Sequence, residues 1–150
     1  MRVAKKKAVL PATSSTRSSL PSATAAPGRR RVLLVDDEAL LRQRLARALV
    51  RHGFEVVSVA SVVAACHWLR HGEFDVVVTD VCLHDGTGFD VFAAARDARI
   101  ELPVLFVGTD PGLPATLATP AGAVRYCCKT LGPVALVGAI GEAYDDRVIC

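Results

Sequence analysis

The feature that most constrains the fold of this chain is a regular alternation of short apolar runs and amphipathic segments from residue 31 onward. The apolar runs are rich in Val and Leu, which is typical of buried strands. In the first amphipathic segment Leu41, Leu45 and Leu49 share one helical stripe, and Gly53 follows as a stop signal. The pattern predicts strands at 31–35, 54–60, 74–80, 102–108 and 123–129, with helices between them and a last helix at 132–144.

Strands that are apolar on both faces, separated by helices, predict an α/β fold: a doubly wound, five-stranded parallel sheet with helices on both faces. The fourth helix is the exception. Its segment, DPGLPATLATPAG, contains three prolines, and an interior proline costs a helix roughly 3 kcal/mol. We therefore expect the fourth helix to be short, irregular or missing; the prolines are Pro111, Pro114 and Pro120.

Charge divides the chain into a basic tail and an acidic body. The first 31 residues hold eight of the 18 basic residues and none of the 15 acidic ones. The composition of 1–30 predicts a disordered Ser/Ala/Pro-rich tail, followed by one domain at 31–145 and a short C-terminal tail at 146–150. Because the body is acidic, nucleic-acid binding is not expected, except through the tail. No apolar run is long enough to insert into a membrane.

The five cysteines indicate a reducing, cytoplasmic setting. Their number is odd and they form no C-x-x-C pair, so neither a disulfide framework nor a zinc site is indicated. Cys127 and Cys128 are adjacent in a predicted strand, so their side chains should point to opposite faces of the sheet.

Candidate chemistry lies at the carboxyl ends of the predicted strands, which meet at one edge of a parallel sheet. Asp36 and Asp37 follow the first strand, Asp80 ends the third, and Lys129 ends the fifth. Each residue alone is explained equally well as turn or surface chemistry. Together they suit a magnesium ion, which favours carboxylates and phosphate oxygens, and a lysine that pairs with a phosphoryl group. An Asp in that setting is a plausible nucleophile towards phosphorus.

Four stretches carry a resemblance to a known family across residues 31–144. With these motifs the chain resembles the CheY-like receiver domain of two-component response regulators. The resemblance implies a flavodoxin-like fold with strand order 2-1-3-4-5 and transfer of a phosphoryl group from a histidine kinase to an Asp. The stretches are VLLVDDEALLR at 32–42, DVVVTDVCLHDGTGFDVF at 75–92, LPVLFVGTD at 102–110 and GAVRYCCK at 122–129.

Site roles follow from the resemblance by position. Asp80 matches the phosphoacceptor and also a magnesium ligand. Asp37 matches the carboxylate that contacts magnesium directly, and Asp36 its neighbour that acts mainly through water. Cys82 would offer its backbone carbonyl to the metal, and Gly88 fits the tight turn that opens the third helix.

At the far side of the site, Lys129 matches the salt-bridging lysine and Tyr126 the aromatic switch. The chain departs from the family at Gly108, where a Ser or Thr normally contacts the phosphoryl group. Thr109 could replace that residue only if the strand end is shifted, because one residue turns a side chain to the other face. His84 and Thr130 stand where the family usually has proline.

Together these features predict a stand-alone response regulator receiver, not a classical enzyme, that accepts a phosphoryl group on Asp80. Its partners would be a sensor histidine kinase or phosphotransfer protein and an unknown output protein. Gly108 and the proline-rich segment of the fourth helix support an alternative, a pseudo-receiver that binds protein without a working switch. A dehalogenase-type phosphohydrolase fits poorly because Asp36 is followed by Asp37 and Glu38. A dinucleotide-binding enzyme fits less well, since no G-x-G-x-x-G follows a strand.

Overall fold

The computed structural model describes residues 29–99, 101–113, 116–119 and 122–149. The tail predicted for 1–30 therefore lies outside the described residues, apart from its last two. The elements, in chain order, are β1 (Arg31–Val35), α1 (Ala39–Arg51), β2 (Glu55–Val59), α2 (Val62–His71), β3 (Val76–Asp80), β4 (Cys82–Leu83), β5 (Gly86–Thr87), α3 (Gly88–Ala98), β6 (Val104–Gly108), β7 (Thr116–Thr119), β8 (Gly122–Cys128), a 3₁₀ turn (Lys129–Leu131) and α4 (Pro133–Ile149).

The five strands predicted from the sequence form one parallel sheet. β1 lies between β2 and β3, and β6 and β8 follow beyond β3. Numbered along the chain, these five strands have the order 2-1-3-4-5 that the resemblance implies. A short antiparallel pair, β4 with β5, lies in the loop that follows β3.

The segment in which the fourth helix was expected to be short, irregular or missing contains a strand, β7. β7 pairs antiparallel with β8, from Thr116 opposite Arg125 to Thr119 opposite Gly122, and adds a sixth strand to the sheet. In the described residues no helix lies between β6 and β8. The prolines of this segment disfavour a helix, and the β-branched threonines of TLAT suit a strand.

The sheet separates two apolar layers because alternate strand residues point to opposite faces. One layer packs Leu33, Val77 and Phe106 against α2 and α3. The other packs Leu34 and Leu105 against α1 and α4. Adjacent cysteines follow the same rule, as predicted: Cys127 belongs to the α1/α4 layer and Cys128 to the α2/α3 layer.

Individual residues explain where α2 begins and where α1 ends. Ser61 caps α2, since its hydroxyl oxygen accepts a hydrogen bond from Ala64 N at 3.1 Å. Gly53 follows α1 with a φ of +91°, a conformation that favours glycine. The last helix continues to Ile149 instead of ending near residue 144.

Among the described residues, no helix is long and apolar enough to cross a membrane.

Candidate functional site

The carboxyl edge of the sheet brings together the acidic residues that the sequence singled out. Asp36 directly follows β1, Asp37 comes next, and Asp80 is the last residue of β3. Each of the three offers a carboxylate oxygen, and these oxygens all lie within 4.8 Å of one another. The parallel pairing of β1 with β3 aligns the two strand ends, which is why Asp36 and Asp80 meet although they are far apart in the chain.

Lys129 links two of these carboxylates. Its Nζ lies 2.8 Å from Asp80 Oδ2 and 3.0 Å from Asp36 Oδ2, and its side chain is only 8% exposed. Burial by itself lowers the pKa of Lys129, but the hydrogen bonds and charges of Asp80 and Asp36 outweigh it, so the pKa is raised. The ammonium group therefore stays charged and neutralises part of the site.

Asp36 is the most firmly held carboxylate of the three. It is buried, its Oδ1 accepts a hydrogen bond from Glu38 N at 2.9 Å, and its backbone carbonyl accepts one from Arg42 Nη1 at 2.6 Å. Asp37, by contrast, is exposed at the rim. The imidazole of His84 lies beside it, with 3.9 Å between Nδ1 and Asp37 Oδ2.

Asp80 is half-buried at the end of β3, and its environment shifts the pKa of its carboxyl group. Burial raises the pKa of its carboxyl group, and the nearby Lys129 ammonium offsets this only in part. Its second oxygen, Oδ1, accepts a long hydrogen bond of 3.4 Å from Cys82 N. One oxygen of Asp80 is thus occupied by Lys129, while the other is weakly bonded and open to a ligand.

The donor set fits a hard divalent cation. The clustered groups are carboxylates from Asp36, Asp37 and Asp80, and magnesium binds oxygen ligands of this kind while retaining several waters. Such an ion would also relieve the repulsion between Asp37 and the other two carboxylates. The Cys82 side chain is exposed; whether its backbone carbonyl ligates a metal, as the resemblance implies, stays a prediction.

The loop after Asp80 is fixed by two features. Gly88, which opens α3, donates a backbone hydrogen bond to Val81 O at 2.8 Å. An ideal Cβ at Gly88 would lie 2.5 Å from Asp80 O, so the close approach of two backbones requires glycine there. The sequence indicated glycine for the turn, and the structure shows that the constraint is steric.

Asp85 has a structural role that the sequence did not indicate. The carboxylate accepts hydrogen bonds from Val62 N at 2.8 Å and Val63 N at 3.1 Å, at the start of α2. The bond from Val62 is the main reason that the pKa of Asp85 is lowered. Asp85 therefore ties the loop after Asp80 to α2. No local spacing signals this contact, because its partners are more than 20 residues away in the chain.

At the end of β6, Gly108 and Tyr126 occupy adjoining space. Tyr126 is buried, and its hydroxyl group donates to Asp110 O at 2.8 Å and accepts from Asp110 N at 3.1 Å. Gly108 is the last residue of the strand, and Thr109 is exposed just beyond it. The structure thus places Tyr126 inward and Thr109 at the surface; their functional roles stay predictions.

Comparison with known proteins identifies the class of protein that this fold and site define. The family described as "Response regulator receiver domain" matches residues 32–141. The chain belongs to this family.

Particular relatives agree with that class. The chain is 34% identical over 116 residues to the "DNA-binding transcriptional regulator NtrC" of Rhizobium meliloti (strain 1021); the match covers 77% of this chain and 24% of the relative. It is 40% identical over 77 residues to the "Transcriptional regulatory protein TcrA" of Mycobacterium tuberculosis (strain ATCC 25618 / H37Rv), covering 51% of this chain and 30% of that protein. The chain therefore spans between about a quarter and a third of the length of these curated relatives.

Solved structures share the fold. The response regulator receiver protein from Sinorhizobium medicae WSM419 superposes with a TM-score of 0.69 at 24% identity, covering 81% of this chain and 99% of that one. The chemotaxis response regulator CheY4 of Vibrio cholerae gives 0.67 at 26% identity, covering 77% and 98%.

Proposed function

We propose that this receiver domain accepts a phosphoryl group on Asp80 in phosphorelay signalling. The observation that carries the proposal is the arrangement around Asp80: a half-buried carboxylate with one oxygen on Lys129 and one nearly free, beside two further carboxylates. The donor would be the phosphohistidine of a sensor kinase or phosphotransfer protein. A bound magnesium ion would supply charge neutralisation for the incoming phosphoryl oxygens.

The transfer forms one bond to phosphorus and breaks another. The free oxygen of Asp80 forms the new O–P bond while the P–N bond of the donor breaks. The electron pair of that bond goes to the departing imidazole, which leaves neutral when its other nitrogen carries a proton. Lys129 then pairs with the phosphoryl group instead of the Asp80 carboxylate, because the dianion is the stronger partner. Asp80 is consumed as a substrate in this step, so the chain is not a classical enzyme.

A second candidate, a pseudo-receiver that binds protein without a phosphorylation switch, is favoured by Gly108. No side chain at that position can hydrogen-bond a phosphoryl group on Asp80, and Thr109 is exposed beyond the strand. Under this alternative the cluster of Asp36, Asp37 and Asp80 would bind a cation without taking part in phosphoryl transfer. The two candidates differ in one measurable event, the covalent modification of Asp80.

Incubating the protein with phosphoramidate and magnesium should add the mass of one phosphoryl group to the intact chain. Asp80→Asn should remove this adduct and still fold, because it deletes a charge that burial disfavours. Asp97→Asn, at an exposed position of α3, is the matched control and should retain the adduct. A folded wild-type chain without an adduct, or an Asp80→Asn chain with one, would contradict the proposal.

The proposal also covers the output partner of this domain and its location in the cell. The output partner would be a protein, and nucleic acid would be contacted only through the basic tail. All four cysteines in the described residues are free thiols, which supports a reducing cytoplasmic setting.

A further inference from the structure

The phenol of Tyr126 occupies the space that a side chain at position 108 would need. An ideal Cβ built at Gly108 would lie 2.9 Å from Tyr126 Oη and 3.1 Å from its ring carbon Cε1. Cβ atoms in proteins essentially never lie closer than 3.0 Å to a non-bonded heavy atom of a distant residue, so a side chain at position 108 would require the Tyr126 ring to shift. The inward position of the Tyr126 ring therefore depends on glycine at position 108.

The hydroxyl group of Tyr126 is also fully engaged. It donates to Asp110 O at 2.8 Å and accepts from Asp110 N at 3.1 Å, so both polar groups of one backbone residue are bound. The Asp110 carboxylate in turn accepts a hydrogen bond from Gly112 N at 2.8 Å. Tyr126 thus clamps the loop that leaves β6 and carries Thr109.

We propose that Tyr126 is a fixed positioning residue, held inward by Gly108 and the Asp110 backbone whether or not Asp80 carries a phosphoryl group. The proposal rests on the proposed function and differs from the switch role that the resemblance implies. Outward rotation of the ring would break both hydrogen bonds to Asp110. It would also leave a void beside Gly108, because glycine has no side chain to fill the space that the phenol vacates.

The neighbouring backbone supports a fixed position. β8 pairs with β6 at Tyr126 itself, opposite Phe106, whereas the pairing of β7 with β8 ends one residue earlier, at Arg125. The ladder to β6 therefore holds the backbone of Tyr126, and the two hydrogen bonds to Asp110 hold its side chain. The clamp therefore holds the loop with Thr109 in one place, and phosphorylation of Asp80 would not be reported through the Tyr126 side chain.

The test uses the full chain with Tyr144→Phe, which leaves Tyr126 as its one tyrosine. Ring-¹³C tyrosine then gives one set of aromatic NMR signals, recorded before and after treatment with phosphoramidate and magnesium. Intact mass measures the adduct in the same samples. Gly108→Thr, and Gly108→Ala as a milder variant if Thr prevents folding, provide the displaced-ring reference.

We expect the Tyr126 signals to stay in place as the adduct accumulates, and to move towards the position of free tyrosine in the Gly108 variants. In Tyr126→Phe, amide exchange at Asp110 should be roughly tenfold faster because one hydrogen bond to its N–H is lost. A merely space-filling ring would leave that exchange rate unchanged, which would overturn the positioning role.

Two further results would overturn the proposal: phosphorylation that moves the signals to the position seen with Gly108→Thr, or signals already at the free-tyrosine position in the unmodified chain. If no adduct forms, the proposed function fails. The positioning role of Tyr126 is then still tested by three measurements: the Tyr126 NMR signals of the unmodified chain, the same signals in the Gly108 variants, and the amide exchange rate at Asp110.

Discussion

Replacing Lys129 with methionine should lower the free energy of unfolding by about 3–5 kcal/mol in metal-free buffer near neutral pH, the range for removing one partner of a buried ion pair. The variant leaves the carboxylates of Asp36 and Asp80 close together with no ammonium between them. Both lie within 3.0 Å of Lys129 Nζ in the native chain. Urea unfolding, followed by circular dichroism, measures the loss.

Two conditions distinguish this electrostatic cause from a packing defect. Magnesium should restore part of the lost stability, because the cation replaces the missing positive charge. Acidic pH should also shrink the loss: the pKa of Asp80 is already raised by burial, and protonation removes the like-charge repulsion. A loss that responds to neither condition would contradict the account.

The matched control is Glu101→Gln, which breaks the pair of Arg99 with Glu101. That pair spans 3.8 Å, and the Glu101 side chain is 65% exposed. Exposed pairs typically contribute less than about 1 kcal/mol, so this variant should unfold almost as the wild type does.

Gly88→Ala should lower the free energy of unfolding by about 1–3 kcal/mol, as overpacking does in a tight site. Gly88 is the first residue of α3, so helix propensity alone predicts that alanine would stabilise it. The added Cβ, however, would meet Asp80 O at 2.5 Å, and neither backbone can move without disturbing the site. Urea unfolding, with the rate of adduct formation from phosphoramidate, measures both consequences.

Gly138→Ala is the matched control for that substitution. Gly138 lies inside α4, and a Cβ there meets nothing within 4 Å. This variant should gain up to about 1 kcal/mol from helix propensity alone and phosphorylate normally. If Gly88→Ala is as stable as Gly138→Ala, the steric account of the loop after Asp80 is wrong.

The sheet and the acidic cluster could be predicted because short-range patterns determine them. Valine-rich runs define the strands, and strand ends in a parallel sheet must meet at one edge. Asp80 and Lys129, which are 49 residues apart, were therefore expected to be neighbours, and they are 2.8 Å apart. The first strand has the predicted boundaries, and those of the other four differ from the prediction by at most two residues, because hydrogen bonding along a strand and its apolar pattern need not end at the same residue.

What the sequence did not reveal depends on side-chain contacts between distant segments. The prolines indicated that the fourth helix would fail, but the choice of a strand depended on the free edge of β8. The hydrogen bonds from Asp85 to α2 follow only from the folded loop. Gly108 was interpreted as a missing hydroxyl group, whereas in the folded chain it is also the space that Tyr126 fills.

The central claim, that Asp80 itself receives the phosphoryl group, is tested most directly by reductive trapping. Borohydride reduces an aspartyl phosphate to homoserine, and peptide mapping then locates the altered residue. The account predicts homoserine at position 80 after treatment with phosphoramidate and magnesium, and none when magnesium is chelated. Homoserine at position 36 or 37, or at no position in a folded chain, would contradict it.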